Sequence, residues 1–305
     1  MLENVLEGKN ALFETGMQTV LRGQENRYRR IVVQNGNVVQ NARSEQNGVS
    51  ANVYKNGVNG FASIAEYTGA AAEQVLKAAT ENAQYLNKYT RNKKAALPDY
   101  RTGWITSKSV ILDIEQKKLV DMCMEIDTYI GKTYPKLSNR MVIYREDTME
   151  KIIYTSDACN GHVVYPRFAL YVVIGMESKK GEPLELTECF GGYGNIKDNP
   201  VPMKEVQEKV ERLYKRICDK AEGVYAEAGV KTVILDSDVA GMIAHEAVGH
   251  TVEADLVLGG SVAASNLGKQ VASEKISIVD YAHTVGEEMA PLPVFLDDEG
   301  VEAKD

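Results

Sequence analysis

The stretch from residue 29 to residue 64 restricts the possible folds of this chain more than any other. Its runs IVVQNGNVVQ and GVSANVYKNGVNGFASI alternate β-branched with polar residues, and they contain Asn-Gly pairs. Asn-Gly is the preferred pair in two-residue hairpin turns, and alternation places the apolar side chains on one face of a strand. The sequence therefore predicts a small antiparallel meander over residues 29–64.

A helix is predicted directly after this meander, from Thr68 to about Asn87. Threonine is a favoured N-cap, and the segment TGAAAEQVLKAATENAQYLN carries apolar residues at the spacing of one helical face. These residues are Ala72, Val75, Leu76, Ala79, Ala83 and Leu86. We expect this face to pack on the meander.

The following residues predict a second unit of similar plan. Residues 88–109 lose periodicity and are expected to form a long connection. Helices are then predicted near 113–131 and 203–222, with strands near 138–146, 151–156, 162–175 and 183–190. We interpret residues 1–225 as one α+β region of antiparallel sheets packed with helices, either undivided or built from related sub-units 1–110 and 111–225.

The segment DSDVAGMIAHEAVGHTVEAD, residues 236–255, contains two histidines separated by five positions, His245 and His250. It follows the run VKTVILD, which predicts a buried strand, and Asp236 or Ser237 can cap the helix that carries the histidines. On a regular helix the two imidazoles would lie about 140° apart, too far around for one metal ion. A π-helical turn, with about 4.4 residues per turn, would bring them together, and Gly249 lowers the steric cost of widening.

This spacing leaves two interpretations open. In the first, His245 and His250 bind zinc, and Glu246 acts as the general base on water, as the carboxylate after the first histidine does in zinc peptidases. Glu253, three residues past His250, or Asp255 would then hold an imidazole N–H, with Glu253 favoured. In the second, both histidines face solvent on an ordinary helix.

Composition excludes several classes of function. The formal net charge of −8 gives no electrostatic reason to bind nucleic acid, and no apolar run is long enough to cross a membrane. The N-terminal residues lack the features of a signal peptide, which predicts a cytoplasmic protein. The four cysteines form no C-x-x-C pair and are interpreted as thiols in a reducing compartment. His162 and His283 are expected to be structural or solvent-facing.

Three segments together carry a resemblance to a known family: HEAVGHTVEAD, GGSVAASNLGKQVASEKISIVDY and DDEGVEAKD. They are similar to the catalytic signature of the TldD/PmbA family of zinc metalloproteases, and NGVSANVYKNGVNGFAS is similar to an early segment of that family. The histidine segment resembles the TldD-type subunit, since the PmbA-type subunit lacks it. The resemblance implies that His245 and His250 are zinc ligands, that Glu246 is the base, and that the chain forms a homodimer or a heterodimer with a PmbA-type subunit.

The resemblance also implies a third ligand, a cysteine beyond residue 305, in a β-rich domain that begins near residue 226 and is incomplete here. We therefore expect the chain as given to bind zinc weakly or not at all and to be inactive. The expected substrate of the complete protein is an unfolded or leader-bearing peptide. Two alternatives stay open: a non-catalytic binding or assembly subunit of such a dimer, and a modulator of a DNA-associated enzyme.

Overall fold

The computed structural model describes residues 2–90, 104–107 and 114–305. The chain divides into two compact units, the first made of Met1–Gly223 with Tyr281–Asp305 and the second of Val224–Asp280. The predicted domain boundary at residue 225 stays a prediction. Tyr281–Asp305, which the prediction assigned to the C-terminal domain, packs with the first unit.

The predicted meander is present, and its strands are longer than expected. They are β1 (Gln18–Gln34), β2 (Asn37–Lys55) and β3 (Val58–Ile64), paired antiparallel in that order. Asn35-Gly36 and Asn56-Gly57 form the two turns, and all four residues have positive φ. This is the backbone of type I′ hairpin turns, which explains why Asn-Gly located them correctly.

The predicted helix α1 (Gly69–Tyr89) packs against this meander. The Thr68 hydroxyl caps it by accepting the backbone N–H of Ala71 at 3.1 Å. Five of the six predicted apolar positions are buried, but Leu86 is 44% exposed because the last turn of the helix extends past the packed residues, which end at Ala83. Gly60 lets strand and helix approach closely, since a Cβ there would lie 2.2 Å from the Ala79 carbonyl oxygen.

The second group of elements extends the same sheet. Helix α2 (Gln116–Thr133) is followed by β5 (Asn139–Thr155), β6 (Asn160–Glu177), β7 (Pro183–Tyr193) and helix α3 (Met203–Ala221), while the short strand β4 (Trp104–Ser107) precedes α2. The order is β3-β2-β1-β5-β6-β4, with β7 also paired to β6. All pairs are antiparallel except β4 with β6. The α+β class is confirmed.

Two strand predictions near residues 138–156 were wrong in detail. The expected separate strands form one continuous β5, because β1 and β6 pair with it on both sides through the polar residues 147–150. The predicted connection over residues 88–109 contains β4. Residues 91–103 of this connection lie outside the described residues, and so do residues 108–113, where the next helix was predicted to start.

Helices α1, α2 and α3 cover one face of the sheet. Their apolar side chains pack with those of the strands in two clusters, one toward each end of the sheet. Leu21 and Ile152 belong to the cluster under α1, and Ile31 and Tyr144 belong to the cluster under α2 and α3. Between the clusters the same face carries buried charged groups. His162 is among them, with its Nε2 2.8 Å from Oε1 of the buried Glu150, so this histidine is structural.

The second unit is helical and lacks the strand predicted at residues 230–236. Residues 224–236 form neither helix nor strand, and their side chains are exposed. A strand needs a neighbouring strand to pair its backbone N–H and C=O groups, and in this unit no described strand lies beside these residues. Among the described side chains of Val224–Asp280 none is buried. The β-rich character expected after residue 226 is limited to the hairpin β8 (Thr284–Val285) and β9 (Glu288–Met289) and one isolated bridge.

Within the residues that the structure describes, no helix has both the length and the apolar character needed to cross a membrane.

Candidate metal centre

The histidine segment forms a helix whose middle turn is widened. Helix α4 (Ser237–Ala244) is capped by Asp236, whose Oδ1 accepts the Val239 N–H at 3.0 Å. A π-helical turn (His245–Gly249) follows, and the one-turn helix α5 (His250–Val252) completes the segment. The His250 N–H donates to the His245 carbonyl oxygen, which is the five-residue bond of a π-helix. The widened turn predicted from the spacing is therefore present.

This turn brings the two imidazoles face to edge. Their ring centroids lie 4.3 Å apart, with the ring planes at 63°. One ligand atom from each of His245, Glu246 and His250 lies within 4.8 Å of the others. In the described part of the chain, no second group of three or more histidine, cysteine or acidic side chains meets this criterion.

Two carboxylates contact His250 from opposite sides of its ring. Glu253 Oε1 lies 2.5 Å from Nδ1, and Glu246 Oε2 lies 3.9 Å from Nε2. The hydrogen bond to Glu253 raises the pKa of His250; desolvation opposes this rise, and the charges of Glu253 and Glu246 add to it. With Glu253 accepting from Nδ1, the neutral ring carries its proton there and leaves the Nε2 lone pair on the side of Glu246.

The second predicted carboxylate partner is placed differently. Asp255 Oδ1 accepts the neighbouring Leu256 N–H at 2.9 Å, and its described contacts include neither imidazole. Asp255 follows Glu253, which ends α5 with a ψ of 134°, so the chain turns away from the helical face of His250 before it reaches Asp255. Of the two candidates, the structure brings only Glu253 to His250.

The donor set fits zinc. Zinc accepts imidazole nitrogen and carboxylate oxygen, and two ligand nitrogens on one tetrahedral ion lie about 3.3 Å apart. Here one ligand atom from each of His245, Glu246 and His250 lies within 4.8 Å of the others. The side chains of Glu246 and His250 are 66% and 48% exposed, so rotations of these side chains can close the gap. Gly249 keeps one side of His245 open, since a Cβ there would lie 3.4 Å from Nδ1.

None of the four cysteines belongs to the unit that holds the histidines. Cys123 and Cys159 are buried in the first unit, Cys218 is partly buried, and Cys189 is exposed. Burial raises the pKa of Cys123 to about 12, so the thiol stays protonated near neutral pH and supplies little of the thiolate that binds metal ions. Among the described residues, none of the four cysteines belongs to the group formed by His245, Glu246 and His250.

Two segments of the chain match a known family. Residues 228–305 match the PmbA/TldA metallopeptidase C-terminal domain, and residues 20–83 match PmbA/TldA metallopeptidase domain 1. The histidine segment lies inside the first match, and most of the meander and α1 lie inside the second.

Two archaeal proteins are similar in sequence. A protein named metalloprotease from Methanocaldococcus jannaschii is 32% identical over 98% of this chain and 65% of its own length. A protein named zinc metalloprotease TldD homolog from Saccharolobus solfataricus is 26% identical over 63% of this chain and 41% of its own length. The chain thus spans less than two thirds of the length of these relatives.

Solved structures share the fold. TldE from Thermococcus kodakarensis superposes with a TM-score of 0.61 at 13% identity, over 99% of this chain and 65% of that one. A Thermotoga maritima protein, described as a candidate modulator of a DNA gyrase, superposes with a TM-score of 0.61 at 17% identity, over 95% and 64%. At these identities the likeness is one of fold alone.

Proposed function

The chain belongs to the PmbA/TldD family of metallopeptidases, and from that premise we propose that it is a zinc-dependent peptidase. The observation that carries the proposal is the π-helical turn, which places the imidazoles of His245 and His250 at a centroid distance of 4.3 Å beside Glu246. On a regular helix the same residues would point in different directions. The distortion is what makes the pair usable as a metal site.

Each residue has a distinct role in this proposal. His245 and His250 hold the ion, and Glu253 fixes the ring of His250 by its contact with Nδ1. When bound, zinc polarises water and the peptide carbonyl. The Glu246 carboxylate takes a proton from the attacking water and returns it to the leaving amine. Its exposure and its position beside Nε2 of His250 support this assignment.

We further propose that the substrates are unfolded or leader-bearing peptides, that the protein works in the cytoplasm, and that it forms a homodimer or a heterodimer with a PmbA-type subunit. The exposed position of Glu246 and His250 supports access by an extended chain, since no described side chain of this unit is buried. The four free thiols are consistent with a reducing compartment.

A second candidate is a binding or assembly subunit without catalytic activity. It is favoured by the contact between Glu253 and His250, which gives this histidine a partner without any metal. In that case the wild-type dimer would contain no stoichiometric zinc, and a dimer containing His245→Ala would keep the full function of the assembly. The peptidase proposal requires the opposite result for both measurements.

The test of the peptidase proposal is cleavage of an unstructured peptide with and without a zinc chelator. The assay uses the protein extended through the C-terminal region that its longer relatives carry, because the third ligand is expected there. We expect cleavage that stops with chelator and returns when zinc is added. Cleavage that is unchanged by chelation would remove zinc from the mechanism.

A further inference from the structure

A groove crosses the face of the first unit's sheet that lies opposite helices α1–α3. It consists of a cavity of about 540 Å³ and an adjoining cavity of about 320 Å³, which share Arg167 and Leu292 in their lining. Residues Ile152 and Tyr144 of β5 contact the helix side, so the alternating residues Arg145, Asp147 and Lys151 project into the groove.

Two arginines line the larger cavity, and each contacts a neighbouring side chain that fixes its position. The guanidinium carbon of Arg145 lies 4.9 Å from the centroid of the Tyr28 ring, a cation–π contact, and the side chain is 43% exposed. Arg167 donates from Nε to Asp147 Oδ1 at 2.6 Å and is 38% exposed. A guanidinium group has five N–H donors, so both arginines keep donors for a ligand.

A third arginine, Arg30, adds positive charge on the same face of the sheet. Arg30 on β1 lies directly opposite Arg145 in the antiparallel register, so both side chains project from the same face. Its Nε is buried without a hydrogen-bond partner, and no described residue forms an ion pair with it. Like charges on directly opposed residues destabilise a sheet. Arg145 and Arg167 line the groove and share the carboxylate of Asp147, and Arg30 projects from the same face beside Arg145, which leaves a local positive excess on a protein whose net charge is −8.

The other end of the groove is balanced in charge and richer in aromatic groups. Lys151 donates to Asp298 at 2.8 Å and to the Leu296 carbonyl oxygen at 3.0 Å. Tyr165 and Tyr193 line the adjoining cavity beside these groups. One end of the groove thus offers arginine donors, and the continuation offers ring surfaces suited to apolar side chains.

We propose that this groove binds an acidic segment of an extended peptide; the inference rests on the proposed peptidase function and identifies a preferred class of substrate. A guanidinium group binds a carboxylate through a pair of N–H donors, and the excess of arginine supplies such groups. A small free anion would use only the arginine end, whereas the groove continues past it along the sheet. The groove therefore matches a chain with carboxylates followed by apolar residues.

The test is fluorescence anisotropy of a labelled unstructured peptide that carries glutamates followed by leucines, compared with the same peptide carrying glutamines. Binding is measured with chelator present, so cleavage plays no part. We expect the acidic peptide to bind more tightly, and Arg30→Gln and Arg145→Gln each to weaken it roughly three- to five-fold, as for a half-exposed ion pair. Arg43→Gln, the same change at an exposed position on β2, should leave binding unchanged.

Three results would overturn the inference: equal binding of the two peptides, an equal loss of affinity in Arg43→Gln, or displacement of the peptide by inorganic phosphate at concentrations as low as the peptide's own. Binding that persists while the cleavage assay fails would contradict the peptidase proposal alone. Cleavage that shows no preference for the acidic peptide and no dependence on Arg145 would contradict this inference alone.

Discussion

A single hydrogen bond decides which nitrogen of His250 faces the candidate metal centre. Glu253 Oε1, 2.5 Å from Nδ1, raises the pKa of the ring and holds the proton of the neutral form on that nitrogen. The Nε2 lone pair is then directed toward Glu246. The residue that orients the ligand and the residue proposed as the base are thus separate carboxylates, and they can be tested separately.

Glu246→Gln should abolish peptide cleavage and leave zinc bound. The amide cannot accept the proton of the attacking water, while both imidazoles remain in place, so kcat falls by about two to four orders of magnitude. Cleavage and metal content of the extended protein are the measurements. Glu274→Gln, at an exposed position of the same unit, serves as the matched control and should keep its activity. Normal cleavage by Glu246→Gln would exclude this residue as the base.

At the scale of elements, the long strands carry buried charges that should make stability depend on pH. Glu150 lies on β5 and is 1% exposed. Burial acts to raise its pKa, but hydrogen bonds from His162 and from the Leu2 N–H, with nearby positive charge, lower it below the ordinary value of 4.5. Because the carboxylate is more acidic in the folded state, its stabilising effect is complete above that value and is lost as the pH falls below it.

Wild-type protein should therefore lose free energy of unfolding more steeply below about pH 4.5 than Glu150→Gln does. At pH 7 the variant should be less stable by about 1–3 kcal/mol, because its amide replaces a charged acceptor of two hydrogen bonds. Urea denaturation at a series of pH values measures both effects. Glu81→Gln on the exposed side of α1 should follow the wild-type curve. Parallel curves for wild type and Glu150→Gln would show that the Glu150 carboxylate does not contribute to the pH dependence of stability.

Local signals in the sequence predicted most elements, and the errors share one cause. The Asn-Gly turns, the Thr68 cap and the five-residue histidine spacing each determine geometry within a few residues, and each was correct. The continuity of β5 depends on neighbouring strands far away in the sequence, and the run at 230–236 has no described strand beside it. Hydrophobic pattern predicts what a segment can form, whereas pairing partners decide what it forms.

The same distinction applies to the candidate site and the groove. The contact of Glu253 with His250 could be predicted because Glu253 follows His250 on one helical face, whereas Asp255 lies beyond the point at which the chain turns. The arginines of the groove come from three strands, β1, β5 and β6. Arg30 precedes the other two by more than a hundred residues, and Arg145 and Arg167 lie on different strands, so no local sequence pattern reveals the cluster.

At the scale of the whole molecule, the two units differ in how well they are packed. The first contains the sheet and its apolar clusters, while the second has no buried side chain among those described. Its first residues, 224–236, have neither helical nor strand hydrogen bonds. Such segments open at low free-energy cost and are preferred sites of proteolysis.

Limited trypsin digestion should accordingly cut after Lys231, which is exposed, before it cuts at any site in β1, β5 or β6. Lys151 provides an internal comparison, since it is 4% exposed and lies within a paired strand. Mass spectrometry of early time points identifies the first products. Early cleavage at Lys151, with Lys231 intact, would show that the segment is protected and the strand is not.

The most direct test of the proposed metal centre is the zinc content of the extended protein and of its histidine variants. Our account predicts one zinc per chain in the wild type, loss of that zinc in both His245→Ala and His250→Ala, and full retention in Glu246→Gln. A wild-type protein without zinc after purification in zinc-containing buffer, or a full equivalent of zinc in a variant lacking both histidines, would contradict the account.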